Sequence, residues 1–184
     1  MPELSMPSKL IIGVTGGIAA FKTASLVSAL VQDGHTVTVV MTRAAQELVG
    51  PATFSALTGR PVATDLFDRR YPLGAHIEQV GNADLFCVAP ASANIMAKAA
   101  CGLADDLLST MLLSFTGAVL FAPAMNTAMW EKPSVQRNVV RLREDGCHFV
   151  DPQEGWLSCR STGVGRMAEP ADIQAAIERL LRPR

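Results

Sequence analysis

Apolar and polar residues follow two different patterns along the chain. Short, continuous apolar runs rich in β-branched residues are typical of strands buried on both faces of a parallel sheet. Longer segments repeat apolar residues every three or four positions, as amphipathic helices do. The two patterns alternate along the chain, which predicts an α/β fold with a mainly parallel sheet and helices on both faces. The predicted strands are 9–14, 36–41, 84–90, 118–123 and 147–150.

Helix boundaries are marked by capping residues and by proline. Thr42 is a plausible N-cap, Pro51 opens the next helix, and Gly59 ends it. In the first helix we expect Ile18, Phe21, Leu26 and Leu30 to lie on one side. The predicted helices are 18–32, 42–48, 51–58, 92–100, 104–115, 133–145 and 170–181. The segment 65–81 shows neither pattern and is predicted to be a long loop that carries His76.

Composition limits the class of protein. The chain has 184 residues, of which 49% are hydrophobic and 18% charged, with a formal net charge of −1. The apolar content excludes a disordered chain, and the balanced charge argues against a nucleic-acid partner. No apolar run reaches the roughly 18 residues of a membrane span, and the first residues do not resemble a signal peptide. We therefore expect one domain over 1–184, with a core at about 9–181, in the cytoplasm.

The cysteines and histidines do not have the spacing of a metal site. Cys87, Cys101 and Cys147 lie in apolar or element-end contexts, so we expect them to be small core residues. No Cys-x-x-Cys pair occurs and the histidines are scattered, so no metal site is predicted. His35 and His148 are interpreted as structural residues.

Three glycine-rich or polar turns follow strands, and in a parallel sheet such turns meet at one edge. The turn from Gly13 to Ala19 could bind a phosphate through its backbone amides or could simply need glycine for a tight turn. The dinucleotide fingerprint is absent and no acidic residue ends the second strand, which favours a mononucleotide over NAD. Ser92 and Asn126 lie in the other two turns, where each could equally be a helix N-cap.

The segment 155–167 is too polar and too rich in glycine for a core element. Its glycines indicate a flexible flap with hinges. Cys159, beside Arg160 in this flap, could be a proton donor or nucleophile, and the alternative is a free surface cysteine. His76 could act as an acid or a base, although most isolated histidines are structural.

Together these motifs resemble the flavin-dependent cysteine decarboxylase family, and within it the phosphopantothenoylcysteine decarboxylases. The resemblance runs from Lys9 to about Leu181. It rests on 16–22, His76, 89–94, 102–108, Pro123-Ala-Met-Asn126-Thr-Ala-Met-Trp130, and Cys159 with 163–167. The Pro-Ala-Met-Asn motif followed by a cysteine flap is the most specific of these features.

The resemblance implies a single Rossmann-like (flavodoxin-like) flavoprotein domain that binds FMN at the strand edge. Its substrate would be 4′-phosphopantothenoylcysteine, decarboxylated to 4′-phosphopantetheine in coenzyme A biosynthesis by a carboxy-lyase. The cysteinyl unit would be oxidised to a thioaldehyde, would lose CO2 to give an enethiolate, and would then be reduced again. Cofactor contacts would come from Gly16, Gly17, Ile18, Ala19, Thr42, Ser92, Asn94 and Asp105.

The implied catalytic residues are His76, Asn126 and Cys159. Asn126 would bind the substrate carboxylate, Cys159 would protonate the enethiolate, and His76 would be a base or orienting group. Met129 would shape the pocket, and Arg166 would pair with a substrate anion. Segment 155–167 would be the substrate-binding flap. The family also implies a homo-oligomer, a trimer or a dodecamer built from trimers, which suits the low charge content.

Two departures from the family pattern and two alternatives remain. After Cys159 the family often has a small, acidic pair where this chain has Arg160 and Ser161, which puts the detailed flap contacts in doubt. No ligase domain accompanies the flavoprotein domain, so we expect a stand-alone decarboxylase unless the chain is cut from a bifunctional protein. The alternatives are a peptidyl-cysteine decarboxylase of the same family and a non-catalytic, flavin-binding regulatory subunit.

Overall fold

A five-stranded parallel sheet forms the centre of the computed structural model, which describes residues 7–182. The strand order is β2-β1-β3-β4-β5, the flavodoxin-like arrangement of a doubly wound α/β domain. The sheet strands are β1 (Lys9–Val14), β2 (Thr36–Met41), β3 (Leu85–Ala91), β4 (Ala118–Pro123) and β5 (His148–Phe149). The predicted fold class is therefore confirmed.

Helices cover both faces of the sheet. They are α1 (Ala20–Gln32), α2 (Arg43–Gln46), α3 (Pro51–Thr58), α4 (Ala75–Val80), α5 (Ala93–Cys101), α6 (Leu107–Ser114), α7 (Thr127–Trp130), α8 (Pro133–Glu144) and α9 (Pro170–Leu181). Helices α1, α3 and α9 pack together on one face, and α4, α5, α6 and α8 lie on the other. Among residues 7–182 no helix is long and apolar enough to cross a membrane.

The strands are apolar on both sides because each side meets a helical layer. In β1, Leu10 and Ile12 belong to the core beneath α1 and α9, whereas Ile11 belongs to the core beneath α5 and α6. Neighbouring residues of a strand point to opposite faces, so a continuous apolar run fills two cores at once. The same division separates Cys87 from Phe86 in β3.

Three expectations about local structure were wrong. Helix α1 begins at Ala20, and Ile18 and Phe21 are exposed, whereas Leu26 and Leu30 of the same predicted side are buried. His76 lies in helix α4, which begins at the buried Ala75 within the expected loop. Cys101 is exposed at the end of α5 rather than in the core.

The flap contains a two-stranded antiparallel hairpin, β6 (Gln153–Trp156) and β7 (Thr162–Arg166), which the sequence did not indicate.

Candidate functional site

A cavity of about 470 Å³ opens at the carboxyl edge of the sheet. Its walls are the turn between β1 and α1, the turns that follow β3 and β4, and the hairpin. The volume lies in the range of small-ligand and cofactor sites. The sequence-predicted site residues in its walls are Gly16, Gly17, Ile18, Ala19, Ser92, Asn126, Met129 and Arg166.

The buried hydroxyl of Thr15 joins the first two of these turns. Its Oγ1 donates to the Pro90 carbonyl oxygen at 2.6 Å and accepts from the Ser92 N–H at 3.0 Å. Thr15 thus holds the start of α5 against the end of β1. Thr15 is not among the predicted site residues, although its position after a strand and before two glycines was the available signal.

The start of α1 differs from the other helix starts around the cavity. Its N-cap is Ala19, which provides no side-chain hydrogen bond, whereas Ser92 and Asn126 cap their helices. The N–H groups of Ala20, Phe21 and Lys22 donate to carbonyls of the preceding turn, whereas those of Gly16, Ile18 and Ala19 have no acceptor among the described residues. The latter three are available to a ligand. Ile18 and Phe21, with 56% and 61% of their surface exposed, give the same wall an apolar face.

Asn126 sits where the chain leaves β4 and enters α7. Its Oδ1 accepts from the Met129 N–H at 2.8 Å, as an N-cap does. This bond uses the oxygen of the amide, and the exposed side-chain NH2 group remains as a donor for an anion. The two roles considered from the sequence, cap and binding residue, are therefore compatible in one side chain.

The hairpin is fastened to the Asn126 segment by close backbone contact. The Met125 N–H donates to the Gly165 carbonyl oxygen at 3.0 Å. Gly165 has a φ of +147°, and a Cβ there would collide with the Met125 carbonyl oxygen. A Cβ at Gly163 would collide with Oγ1 of Thr127, a buried hydroxyl without a hydrogen-bond partner among the described residues. Glycine at both positions allows the flap to reach the site.

Cys159 lies at the tip of the hairpin. The turn is closed by bonds from the Leu157 N–H to the Ser161 carbonyl (2.8 Å) and from the Arg160 N–H to the Leu157 carbonyl (2.9 Å). The Cys159 thiol is exposed, and its Sγ lies 3.1 Å from Ser161 Oγ. Ser158 lines the cavity, so Cys159 is one residue away from its wall.

A charged cluster lies at one end of the cavity. Lys22 Nζ and Arg166 Nη1 both face Glu169 Oε1, at 2.9 and 3.5 Å. The hydrogen bond from Lys22 is the main cause of a lowered pKa of Glu169, and the nearby charges of Lys22 and Arg166 act in the same direction. Glu169 is consequently ionised at neutral pH.

Four predicted residues lie outside the cavity walls besides Cys159. Thr42 caps α2 by accepting from the Ala45 N–H, and Asn94 is exposed on α5. Asp105, with 68% of its side chain exposed, pairs with Lys98 at 2.5 Å. His76 lies on α4, and its buried Nδ1 has no hydrogen-bond partner among the described residues. Within one copy of the chain, His76 does not line the cavity that Asn126 lines.

Comparison with known proteins points to one group. The profile of the Flavoprotein family matches residues 2–182. The chain is 45% identical over 171 residues to the coenzyme A biosynthesis bifunctional protein CoaBC of Bacillus subtilis (strain 168), covering 92% of this chain and 42% of that protein. The chain thus spans about two fifths of that curated relative.

Two solved structures are similar over nearly their whole length. The FMN-dependent cysteine decarboxylase SpaF is 36% identical with a TM-score of 0.83, and 97% of each chain is covered. A cysteine-to-serine mutant of a PPC decarboxylase, complexed with pantothenoylaminoethenethiol, is 27% identical with a TM-score of 0.86. That comparison covers 95% of this chain and 98% of the other.

Proposed function

Because this chain belongs to the Flavoprotein family, we propose that it is an FMN-dependent decarboxylase of 4′-phosphopantothenoylcysteine. The product would be 4′-phosphopantetheine, an intermediate of coenzyme A biosynthesis, made in the cytoplasm. The observation that carries the proposal is the hairpin with Cys159 docked directly on the Asn126 segment, at the mouth of a cofactor-sized cavity. The similarity to CoaBC and to a PPC decarboxylase supports it.

The cavity residues fit FMN. The flavin ring is flat and largely apolar, and Ile18, Phe21 and Met129 offer an apolar wall. The backbone N–H groups of Gly16, Ile18 and Ala19, which have no acceptor among the described residues, are available to polar parts of the cofactor. A Cβ at Gly16 would collide with Ala44, so a larger residue would deform this turn. When bound, FMN supplies the two-electron redox chemistry that side chains lack.

Asn126 would hold the substrate carboxylate. Its NH2 group donates to the carboxylate, while its Oδ1 stays on the Met129 N–H, which fixes the direction of the amide. The carboxylate is bonded to the carbon beside the one that becomes the thioaldehyde. The contact would hold it in an orientation from which CO2 leaves and the electron pair of the broken bond passes to the thioaldehyde sulfur, which gives the enethiolate. Met129, with 42% of its surface exposed, lines the same part of the cavity.

Cys159 would supply a proton to the enethiolate. Protonation at carbon gives a thioaldehyde, which becomes the product thiol when the hydride taken from the substrate is returned to it. The thiol proton moves from Sγ to the substrate carbon as closing of the hairpin tip brings Cys159 into the cavity. The exposed turn around Cys159 and its distance of one residue from the wall suit such a movement. A closed flap would also keep water from the reacting groups.

The chain would act as a homo-oligomer, a trimer or a dodecamer of trimers, with a neighbouring copy supplying His76. Two large apolar side chains that neighbour His76 in the chain are exposed, Leu73 (76%) and Ile77 (47%), and Phe67 in the preceding segment is 84% exposed. Exposed apolar groups clustered in one region are typical of an interaction surface. His76 Nδ1, which lacks a partner within the described chain, would acquire one at that contact.

A second candidate, favoured by the similarity to the peptidyl-cysteine decarboxylase EpiD (25% identity, TM-score 0.76), is decarboxylation of a peptide that ends in cysteine. Both reactions need the same residues around the cysteinyl unit. The absorbance spectrum of the purified protein and the mass of the released chromophore test the cofactor. Competition between a cysteine-ended peptide and 4′-phosphopantothenoylcysteine then tests the substrate, and a preference for the peptide would overturn the first assignment.

A further inference from the structure

The walls of the cavity contain two cations among the described residues, Lys22 and Arg166, and both face one carboxylate oxygen. The cluster of Lys22, Arg166 and Glu169 therefore has a net charge of +1. Glu169 is also the N-cap residue of α9, where the helix dipole adds positive potential. A cavity that is otherwise apolar thus has a positive end.

The position of Arg166 is set by its neighbours on the hairpin. A Cβ at Gly155 would lie 2.8 Å from Arg166 Nε and 3.0 Å from Cζ, so the guanidinium lies across the glycine. Its Nη2 reaches Gln153 Oε1 only at 3.4 Å, and its buried Nε has no acceptor among residues 7–182. The guanidinium is held in place while part of its donor capacity is unused.

Lys22 and Glu169 differ in exposure, and this difference determines how easily an incoming anion can replace the Glu169 carboxylate. The Lys22 side chain is only 19% exposed, whereas that of Glu169 is 43% exposed and joined to Arg166 at the longer distance of 3.5 Å. A carboxylate so placed can rotate into solvent and release both cations. Any incoming anion that carries more charge than Glu169 competes for them.

We propose that Lys22 and Arg166 bind a phosphate monoester, and that Glu169 occupies the two cations until that ligand arrives. A phosphate monoester carries nearly two charges at neutral pH and three acceptor oxygens, enough for a guanidinium and an ammonium together. A monoanionic carboxylate gains less, because it only replaces Glu169. The proposal rests on the proposed function, in which two ligands carry this group: the substrate and FMN.

The test uses the full chain and compares two ratios, the first measured on the FMN-loaded protein and the second after the flavin is removed. One is the kcat/KM for 4′-phosphopantothenoylcysteine divided by that for pantothenoylcysteine. The other is the affinity for FMN divided by that for riboflavin, measured by flavin fluorescence after the cofactor is removed. The variants are Lys22→Gln, Arg166→Gln and Glu169→Gln, with Arg141→Gln, an exposed residue of α8, as the matched control.

Lys22→Gln and Arg166→Gln should each lower one of the two ratios roughly tenfold, the value of one charge-assisted hydrogen bond. Glu169→Gln should raise the same ratio, because the competing carboxylate is gone. A merely structural ion pair would make Lys22→Gln and Glu169→Gln change it in the same direction. A change in the first ratio identifies the substrate phosphate, and a change in the second identifies that of FMN.

The proposal is overturned if neither ratio changes, or if Lys22→Gln and Glu169→Gln shift it the same way. Its failure is distinguishable from failure of the proposed function. If the wild-type chain decarboxylates neither substrate, the proposed function is wrong, while the ratio of FMN to riboflavin affinity still reports on the phosphate site.

Discussion

The Met125 N–H donates a hydrogen bond of 3.0 Å to the Gly165 carbonyl oxygen, and this contact joins the flap to the segment that carries Asn126. The two residues lie 40 positions apart in sequence order (165 − 125), yet their backbones touch. The contact brings a strand of the hairpin against the turn after β4. This backbone contact therefore determines whether the flap and the side-chain amide of Asn126 can contact the same ligand.

Gly165→Ala should separate the flap from the Asn126 segment. The new Cβ would collide with the Met125 carbonyl oxygen, and the φ of +147° is unfavourable for alanine. We expect a loss of about 2 kcal/mol or more in the free energy of unfolding, by denaturant titration, together with weaker flavin retention. Gly50→Ala is the control, because that glycine has a φ of −66° and no atom of residues 7–182 lies within 4 Å of its Cβ position. Equal stability of the two variants would contradict the assigned contact.

Asn126→Asp should separate the two functions of this side chain. Aspartate caps a helix as well as asparagine, so stability should change little, whereas Asn126→Ala should cost about 1 kcal/mol. Both variants remove the NH2 donor, and the aspartate also repels a substrate carboxylate. We therefore expect decarboxylation to fall by about two orders of magnitude or more in both. A fully active Asn126→Asp enzyme would show that the amide does not bind the carboxylate.

Cys159→Ser should block protonation of the enethiolate without affecting the fold. The residue is exposed at the tip of the hairpin, so the thermal midpoint of unfolding should shift from that of the wild-type chain by no more than is typical of a surface substitution. Loss of a general acid costs roughly 10²–10⁴-fold in turnover. Cys101→Ser is the matched control, since Cys101 is also an exposed thiol but lies at the end of α5. Similar rates for the two variants would exclude Cys159 as the proton donor.

Asp106 gives a pH-dependent prediction. It caps α6 through the Ser109 N–H (2.8 Å) and pairs with Lys98 at 2.7 Å. Burial raises the pKa of Asp106, but the bonds from Lys98 and Ser109 outweigh burial and hold the pKa below its ordinary value of 3.8. The ionised carboxylate therefore stabilises the fold above pH 3.8, and this contribution is lost as pH falls through the folded-state pKa.

Asp106→Asn retains a capping oxygen and removes the charge. We expect it to lower the free energy of unfolding at pH 7 by up to about 1 kcal/mol and to make the acid-induced decline less steep. Asp106→Ala should cost more, because the cap is lost too. Urea titrations between pH 3 and pH 7 measure both effects. An unchanged acid profile in Asp106→Asn would contradict the assigned pKa shift.

The sheet was predictable because the buried strands are short runs rich in apolar and β-branched residues, and because most helices have a capping residue or proline at their start. Helices α1 and α4 have neither. Thr42, Ser92 and Asn126 all cap helices as their positions suggested. Ile18 and Phe21 were misplaced because apolar spacing cannot distinguish a residue facing the core from one facing a ligand cavity. The exposed Cys101 was misplaced for a similar reason, since its apolar neighbours belong to the other side of α5.

The parts of the site that depend on contacts between residues far apart in the chain could not be predicted from the sequence. The hydrogen bonds from Thr15 to Pro90 and Ser92 join residues more than 70 positions apart (90 − 15 = 75). Nothing in either sequence segment indicates that it contacts the other. The same holds for Lys22 and Glu169, which meet only when α1 and the start of α9 pack together. The hairpin was hidden because glycine-rich strands have little β-propensity, and its pairing depends on close approach to Met125 and Thr127.

The most direct test is incubation of the purified, FMN-loaded protein with 4′-phosphopantothenoylcysteine without oxygen or any added oxidant. CO2 and 4′-phosphopantetheine are quantified together. The account predicts one CO2 for each 4′-phosphopantetheine over many turnovers, because the hydride removed from the substrate is returned to it. A flavin-loaded protein that releases no CO2 from this substrate would contradict the account.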